Sequence, residues 1–105
     1  MRNLKLMADY GCWPLWAMAP DEPRNIDPAE LPISESLRES LYAWAQTYDA
    51  TLNEDYPPDS GFPSEDAEQE FDRQGRELRA RLQEELGDQA TVRYFSVVTN
   101  DFVDA

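Results

Sequence analysis

The sequence predicts an α+β fold: a small sheet of two to four strands with two helices packed on one face, in the order strand, extended segment, helix, helix, strand. Three observations carry this. An alternating apolar run opens the chain, a β-branched and aromatic run nearly closes it, and between them two long stretches repeat apolar residues every three or four positions. A chain of 105 residues, 41% hydrophobic with three tryptophans, has material for one core and not two, so residues 1–105 read as a single domain.

Leu4, Leu6, Ala8 and Tyr10 share one side of the opening run, and Lys5, Met7 and Asp9 share the other, which predicts a strand over 4–10. Gly11 permits a bend. Cys12 to Trp16 is then extended, because Pro14 cannot sit in a helix interior and biases Trp13 toward β geometry. Trp13 and Trp16 are expected to pack in the core beside the sheet, the alternative being a second candidate surface, and Cys12 to behave as a small buried apolar group. Pro20, Pro23, Pro28 and Pro32 predict a stiffened loop.

The first helix is predicted from about Ser34 to Leu52, with Leu37, Leu41, Trp44, Tyr48 and Leu52 in one buried stripe. Ser34 and Ser36 compete as its N-cap, and Ser36 with Glu39 has capping-box spacing. A second loop, Asn53 to Pro63, is marked by Pro57-Pro58 and Ser60-Gly61. The second helix starts at Ser64 and ends near Leu86, before Gly87. Glu65 and Asp66 sit in its first turn, where the helix dipole favours acids. Ala67, Phe71, Leu78, Leu82 and Leu86 form its apolar face, Gly75 marks a close helix contact, and Glu77 and Arg81 stand at pairing distance. Thr91 to Val98 is the strongest strand signal, and Phe102 and Val103 dock or form a last short strand.

Composition narrows function sharply. Nine basic against 22 acidic residues leave a net charge of -13, a field that repels phosphate backbones and anionic lipids and draws in basic partners. Binding to nucleic acid or a membrane surface is therefore not expected. The chain has no histidine and only Cys12 for a thiol, so the usual triads lack a base, and neither a disulfide nor a zinc site can be assembled. No glycine-rich phosphate loop occurs. Arg2, Lys5 and Ala17-Met18-Ala19 resemble an export signal, but Asp9 and Pro14 interrupt its apolar part and Pro20 follows it. No run is long enough to cross a bilayer, and the cytoplasm is the expected location. The alternating oxygen donors of Asn53 to Gly61 invite a cation, but their glycine is misplaced for a calcium loop and Pro57-Pro58 stiffens the middle. No metal, cofactor or enzymatic activity is expected.

What remains is charge segregation. From Asp49 to Asp72 every charged residue is acidic, and the arginines cluster from Arg73 to Arg81. Glu54, Asp55, Tyr56, Asp59, Phe62, Glu65, Asp66 and Glu70 thus form the candidate partner-binding surface, aromatics ringed by carboxylates on a proline-stiffened loop. The alternative is a solvated acidic face with Tyr56 and Phe62 folded back onto the core.

Leu6-Met7-Ala8-Asp9-Tyr10-Gly11-Cys12-Trp13-Pro14-Leu15-Trp16, Asn25-Ile26-Asp27-Pro28 and Ser60-Gly61-Phe62-Pro63-Ser64-Glu65 together resemble a family of small acidic bacterial proteins, some similar to immunity proteins of polymorphic or contact-dependent growth inhibition toxins. The resemblance runs from Leu6 to about Phe95. It implies a binding protein without catalysis that neutralises a cognate toxin domain, commonly a basic nuclease, by occluding its active site. It assigns no functional residues. The residues alone leave open a small carboxylate- or metal-dependent enzyme and a homo-oligomeric structural or regulatory module. Self-repulsion favours a monomer or weak dimer.

Overall fold

The structure, a computed structural model, describes residues 2–18, 24–52 and 61–103. The two strands marked most clearly by the sequence, β1 (Arg2–Leu6) and β4 (Ala90–Ser96), lie side by side and parallel, with Leu4 opposite Val92 and Leu6 opposite Tyr94. β2 (Leu15–Ala17) pairs antiparallel with β1, and β3 (Arg24–Ile26) antiparallel with β2. β5 (Asp101–Val103) pairs antiparallel with β4, giving the order β3-β2-β1-β4-β5.

The sheet therefore has five strands, not two to four. The extra strand is β3, three residues inside the segment expected to be loop, too short for any alternation to register. Its neighbours make it a strand: Asn25 lies opposite Trp16, and its side-chain amide donates to the Leu15 carbonyl oxygen at 2.9 Å. The flanking strands are also shorter than the alternation predicts. β1 ends at Leu6, and residues 7–14 form a connection closed by the Met7 N–H on the Pro14 carbonyl at 2.9 Å, with Gly11 at φ 70°. β4 ends at Ser96, whose hydroxyl oxygen accepts the N–H groups of Val98 and Thr99 at 3.2 Å each and turns the chain toward β5.

Leu4, Leu6, Leu15, Ile26, Val92 and Tyr94 project from one face of the sheet and are buried. The helices cover that face. α1 (Glu35–Asp49) contributes Leu37, Leu41 and Trp44, and α2 (Glu65–Leu86) contributes Phe71, Leu78, Leu82 and Leu86. Ser34, not Ser36, caps α1: its hydroxyl oxygen accepts the Leu37 N–H at 3.2 Å. Its own N–H and hydroxyl donate to Glu85 at 2.6 and 2.8 Å, tying the start of α1 to the end of α2. α1 stops three residues before Leu52, which is exposed and not part of the buried stripe. Ser64 caps α2, and Gly87 at φ 54° closes it.

Glu77 pairs with Arg73, not Arg81, whose guanidinium instead reaches the Ser40 hydroxyl on α1 at 3.4 Å. Arg73 also binds Glu70. The glycine contact is likewise redirected. Gly75 faces the sheet, where an added Cβ would lie 2.6 Å from Cζ and Oη of the buried Tyr94 ring. Gly75→Ala is expected to cost about 1–2 kcal/mol, an overpacking penalty of about 1–3 kcal/mol partly offset by the better helix propensity of alanine. Thermal unfolding should show a midpoint several degrees lower; an unchanged midpoint would mean that the Tyr94 ring yields freely.

The second face of the sheet carries Lys5, Trp16, Arg93, Phe95 and Phe102. Lys5 Nζ lies 5.6 Å from the Trp16 ring and 5.8 Å from the Phe95 ring, and the Arg93 guanidinium lies 4.1 Å from the Phe102 ring. Cationic side chains laid along aromatic rings shield them from water, so Trp16 is half-buried on this face and not in the interhelical core.

Candidate functional site: an acidic aromatic end

α1 and α2 run antiparallel, so the C-terminus of α1 and the N-terminus of α2 meet at one end of the molecule. Tyr48 and Phe62 approach there with ring centroids 6.3 Å apart, and Phe62 lies 5.1 Å from Phe71. The β1–β2 connection reaches the same place: Tyr10 stacks on Tyr48 at 4.5 Å, and its hydroxyl bonds the Thr51 hydroxyl at 2.7 Å. Tyr10, Tyr48, Thr51, Phe62, Glu68 and Val98 surround a shallow hollow of about 200 Å³.

Carboxylates rim this end. Asp49 lies in the last turn of α1, and its Oδ1 accepts the Gly11 N–H at 3.2 Å. Its charge adds to the negative end of the helix dipole. Glu65, Asp66 and Glu68 occupy the first turn of α2. The density of negative charge acts on its neighbours. Burial, the Tyr10 hydroxyl and then Asp9 and Asp49 push the Tyr48 hydroxyl above the usual tyrosine range. Burial, Asp9 and Asp49 likewise push the Cys12 thiol up, so Cys12 is a neutral, half-buried thiol with little nucleophilic character.

The expected binding residues are only partly brought together. Glu65 and Asp66 are exposed and open to a partner. Phe62 is half-buried and packed onto Tyr48 and Phe71, forming the floor of the hollow. Glu70 is engaged by Arg73, whose hydrogen bond and charge hold its carboxyl below the usual range. Glu54, Asp55, Tyr56 and Asp59 lie outside the described residues. Asp9 and Tyr10 were not expected here. The alternation of residues 4–10 masked their departure from the sheet, and Gly11 was the only cue to it.

Among the described residues no three carboxylate or thiol side chains converge to hold a metal ion, and no helix is long and apolar enough to cross a membrane. The donor segment considered for a cation lies outside the described residues except for Gly61.

Over residues 2–97 the sequence matches the family described as Serratia CdiI immunity protein-like. The chain belongs to this family. The match spans every strand and helix except β5, so family membership is a property of the whole fold and not of one motif. None of the curated proteins is similar to the chain. Membership supports an immunity role and a toxin as the partner. It also gives meaning to the meeting of two sequence motifs. Asn25, from the Asn-Ile-Asp-Pro element, accepts the Trp13 N–H at 2.9 Å and donates to the Trp13 carbonyl at 2.6 Å, fixing the Trp-Pro-Leu-Trp element of this immunity protein fold.

Trp13 departs from expectation. It is 45% exposed, not core: Asn25 fixes its backbone just before β2, and its side chain borders an open hollow against α1.

Proposed function

We propose that this protein neutralises a basic toxin domain, of the nuclease class, by laying its acidic aromatic end over the toxin's active-site cleft. One observation carries the reading most directly: Asp9, Tyr10, Asp49, Phe62, Glu65, Asp66 and Glu68 converge from three chain segments on one end of an already strongly acidic protein. A nuclease cleft is positive because it holds a polyanion, so such a surface is complementary to it. The aromatic floor supplies rigid apolar contact, and the carboxylate rim steers the encounter. Glu54, Asp55, Tyr56 and Asp59, which lie outside the described residues, belong to the proposal as partner contacts, and Glu70 contributes at its Arg73-paired margin. In this reading the protein acts in the cytoplasm as a monomer or weak dimer, without catalysis or cofactor.

The test begins by co-purifying the chain with the product of the neighbouring upstream gene. A one-to-one complex with a basic domain is expected, its association slowing as salt rises. Joint reversal of Asp55, Asp59 and Asp66 to lysine should weaken affinity at least tenfold, or about 1.4 kcal/mol. Full affinity in the reversed variant would remove the acidic end as the binding surface. A divalent-cation-dependent rise in melting temperature would favour the carboxylate enzyme instead, and concentration-dependent sedimentation the oligomeric module.

A further inference from the structure

Beside the acidic end, the β1–β2 connection and α1 enclose a separate hollow of about 420 Å³. Trp13, Pro14, Asn25, Tyr42, Gln46 and Asp49 line it, and no lysine or arginine is among the lining residues. Arg38 acts on Asp27 and Tyr42 from outside that lining.

Three features make this hollow more than a surface irregularity. First, Trp13 stands nearly half exposed at its edge, although burying an indole is among the largest stabilisations available to a side chain. Second, its backbone is clamped. Asn25 accepts the Trp13 N–H and donates to both the Trp13 and Leu15 carbonyls, so the backbone that presents the indole is held in place before any partner arrives. A preorganised aromatic loses little freedom on binding, and tryptophan is enriched among residues that dominate interface energy. Third, the hollow is polarised. Asp49 borders it, and the Tyr42 hydroxyl donates to Asp27, which keeps that phenol turned away as a donor and leaves its ring as wall.

An indole face, a phenol ring and a carboxylate, with no resident cation, match one chemistry. A guanidinium or ammonium group stacks on an indole and gains further from a nearby carboxylate, and guanidinium is better suited because it is planar and weakly hydrated. We propose that this hollow receives a single arginine or lysine side chain of the partner, stacked on Trp13 with its charge toward Asp49. The identity of that partner as the toxin rests on the function proposed above; the cation-binding property does not.

The experiment has two arms. In the first, blocked Gly-Arg-Gly peptide is titrated into the free protein while the tryptophan indole N–H signals are followed by NMR, with Trp13→Ala assigning the Trp13 signal. A saturable shift of that signal is expected, weakened several-fold in Asp49→Asn and absent with the isosteric citrulline peptide. No shift, or an equal shift with citrulline, overturns the proposal. In the second arm, Trp13→Ala is expected to bind the co-purified toxin domain about tenfold more weakly, with melting temperature unchanged. If wild type binds the toxin and Trp13→Ala matches it within about twofold, the hollow is not a toxin contact and the immunity reading stands. If wild type binds no toxin, the immunity reading falls and the peptide arm alone decides the hollow.

Discussion

Replacing Asp72 with alanine is expected to lower the unfolding free energy by about 3–4 kcal/mol, the cost of stranding buried partners around a lost charge. Asp72 is buried on the sheet-facing side of α2. Its Oδ1 accepts the Tyr94 hydroxyl at 2.8 Å and the Ser96 hydroxyl at 2.6 Å, and Oδ2 lies 3.2 Å from Arg76 Nε. Burial pushes the carboxyl up, but the hydrogen bonds from Ser96, Tyr94 and Arg76, with the Arg76 charge, outweigh it and hold the group below its ordinary value of 3.8. Burial and the same carboxylate push the Tyr94 hydroxyl well above the tyrosine range. A carboxyl depressed on folding stabilises the native state above its unfolded pKa, and the stabilisation disappears as pH falls through the lower folded value. Wild type should therefore lose stability as pH falls below about 4, and Asp72→Asn should lose less over that range while starting from a lower value at pH 7. Urea unfolding at pH 7 and pH 3 measures both. A loss under about 1 kcal/mol in the alanine variant would mean that water replaces the carboxylate.

This cluster also marks the limit of what the sequence discloses. Asp72 sits among the acids of residues 49–72 and is indistinguishable from them by composition, because the two hydroxyls that bind it lie more than 20 residues away on β4. The long periodic helices and β4 were legible because their patterns persist over several turns or alternations. Their caps were legible at Ser64 and Gly87, where one residue type fits the geometry, and ambiguous at Ser34 and Ser36, where two hydroxyls competed for one role. β3 escaped because three residues carry no period and its strand character comes from Asn25 pairing with the β2 backbone. At the candidate site, the acids of α2 were legible from charge segregation. Asp9 and Tyr10 were not, since their position depends on where β1 stops. The general tendency of tryptophan favours the core for Trp13, whereas its indole is 45% exposed and its backbone is clamped by a side chain 12 residues away.

Trp44→Ala is expected to be the most destabilising single change, at about 3–5 kcal/mol, because it removes the largest ring from a closed three-way junction. Trp44 stacks on Phe71 of α2 at 4.5 Å with planes 5° apart, meets Tyr94 of β4 edge-on at 6.1 Å, and its indole N–H donates to the Phe71 carbonyl at 3.0 Å. Trp44→Phe keeps the stacking and drops the hydrogen bond, so it should cost less than half as much. Trp44 and Asp72 both act on Tyr94, and the double alanine variant should therefore fall short of the sum of the singles. Chemical denaturation of the four proteins completes the cycle, and strict additivity would show that Tyr94 does not link them. The comparison with Trp13 separates stability from recognition. Phe71 transmits the Trp44 packing to Phe62 and Tyr48 at the acidic end, so Trp44→Ala loosens the platform of the proposed interface. Below its lowered melting point that platform is still populated, and toxin affinity should be close to wild type. Trp13→Ala should do the reverse, leaving unfolding untouched and weakening the complex. If both variants lost stability alike, Trp13 would be a packing residue, and its exposure would have no role in binding.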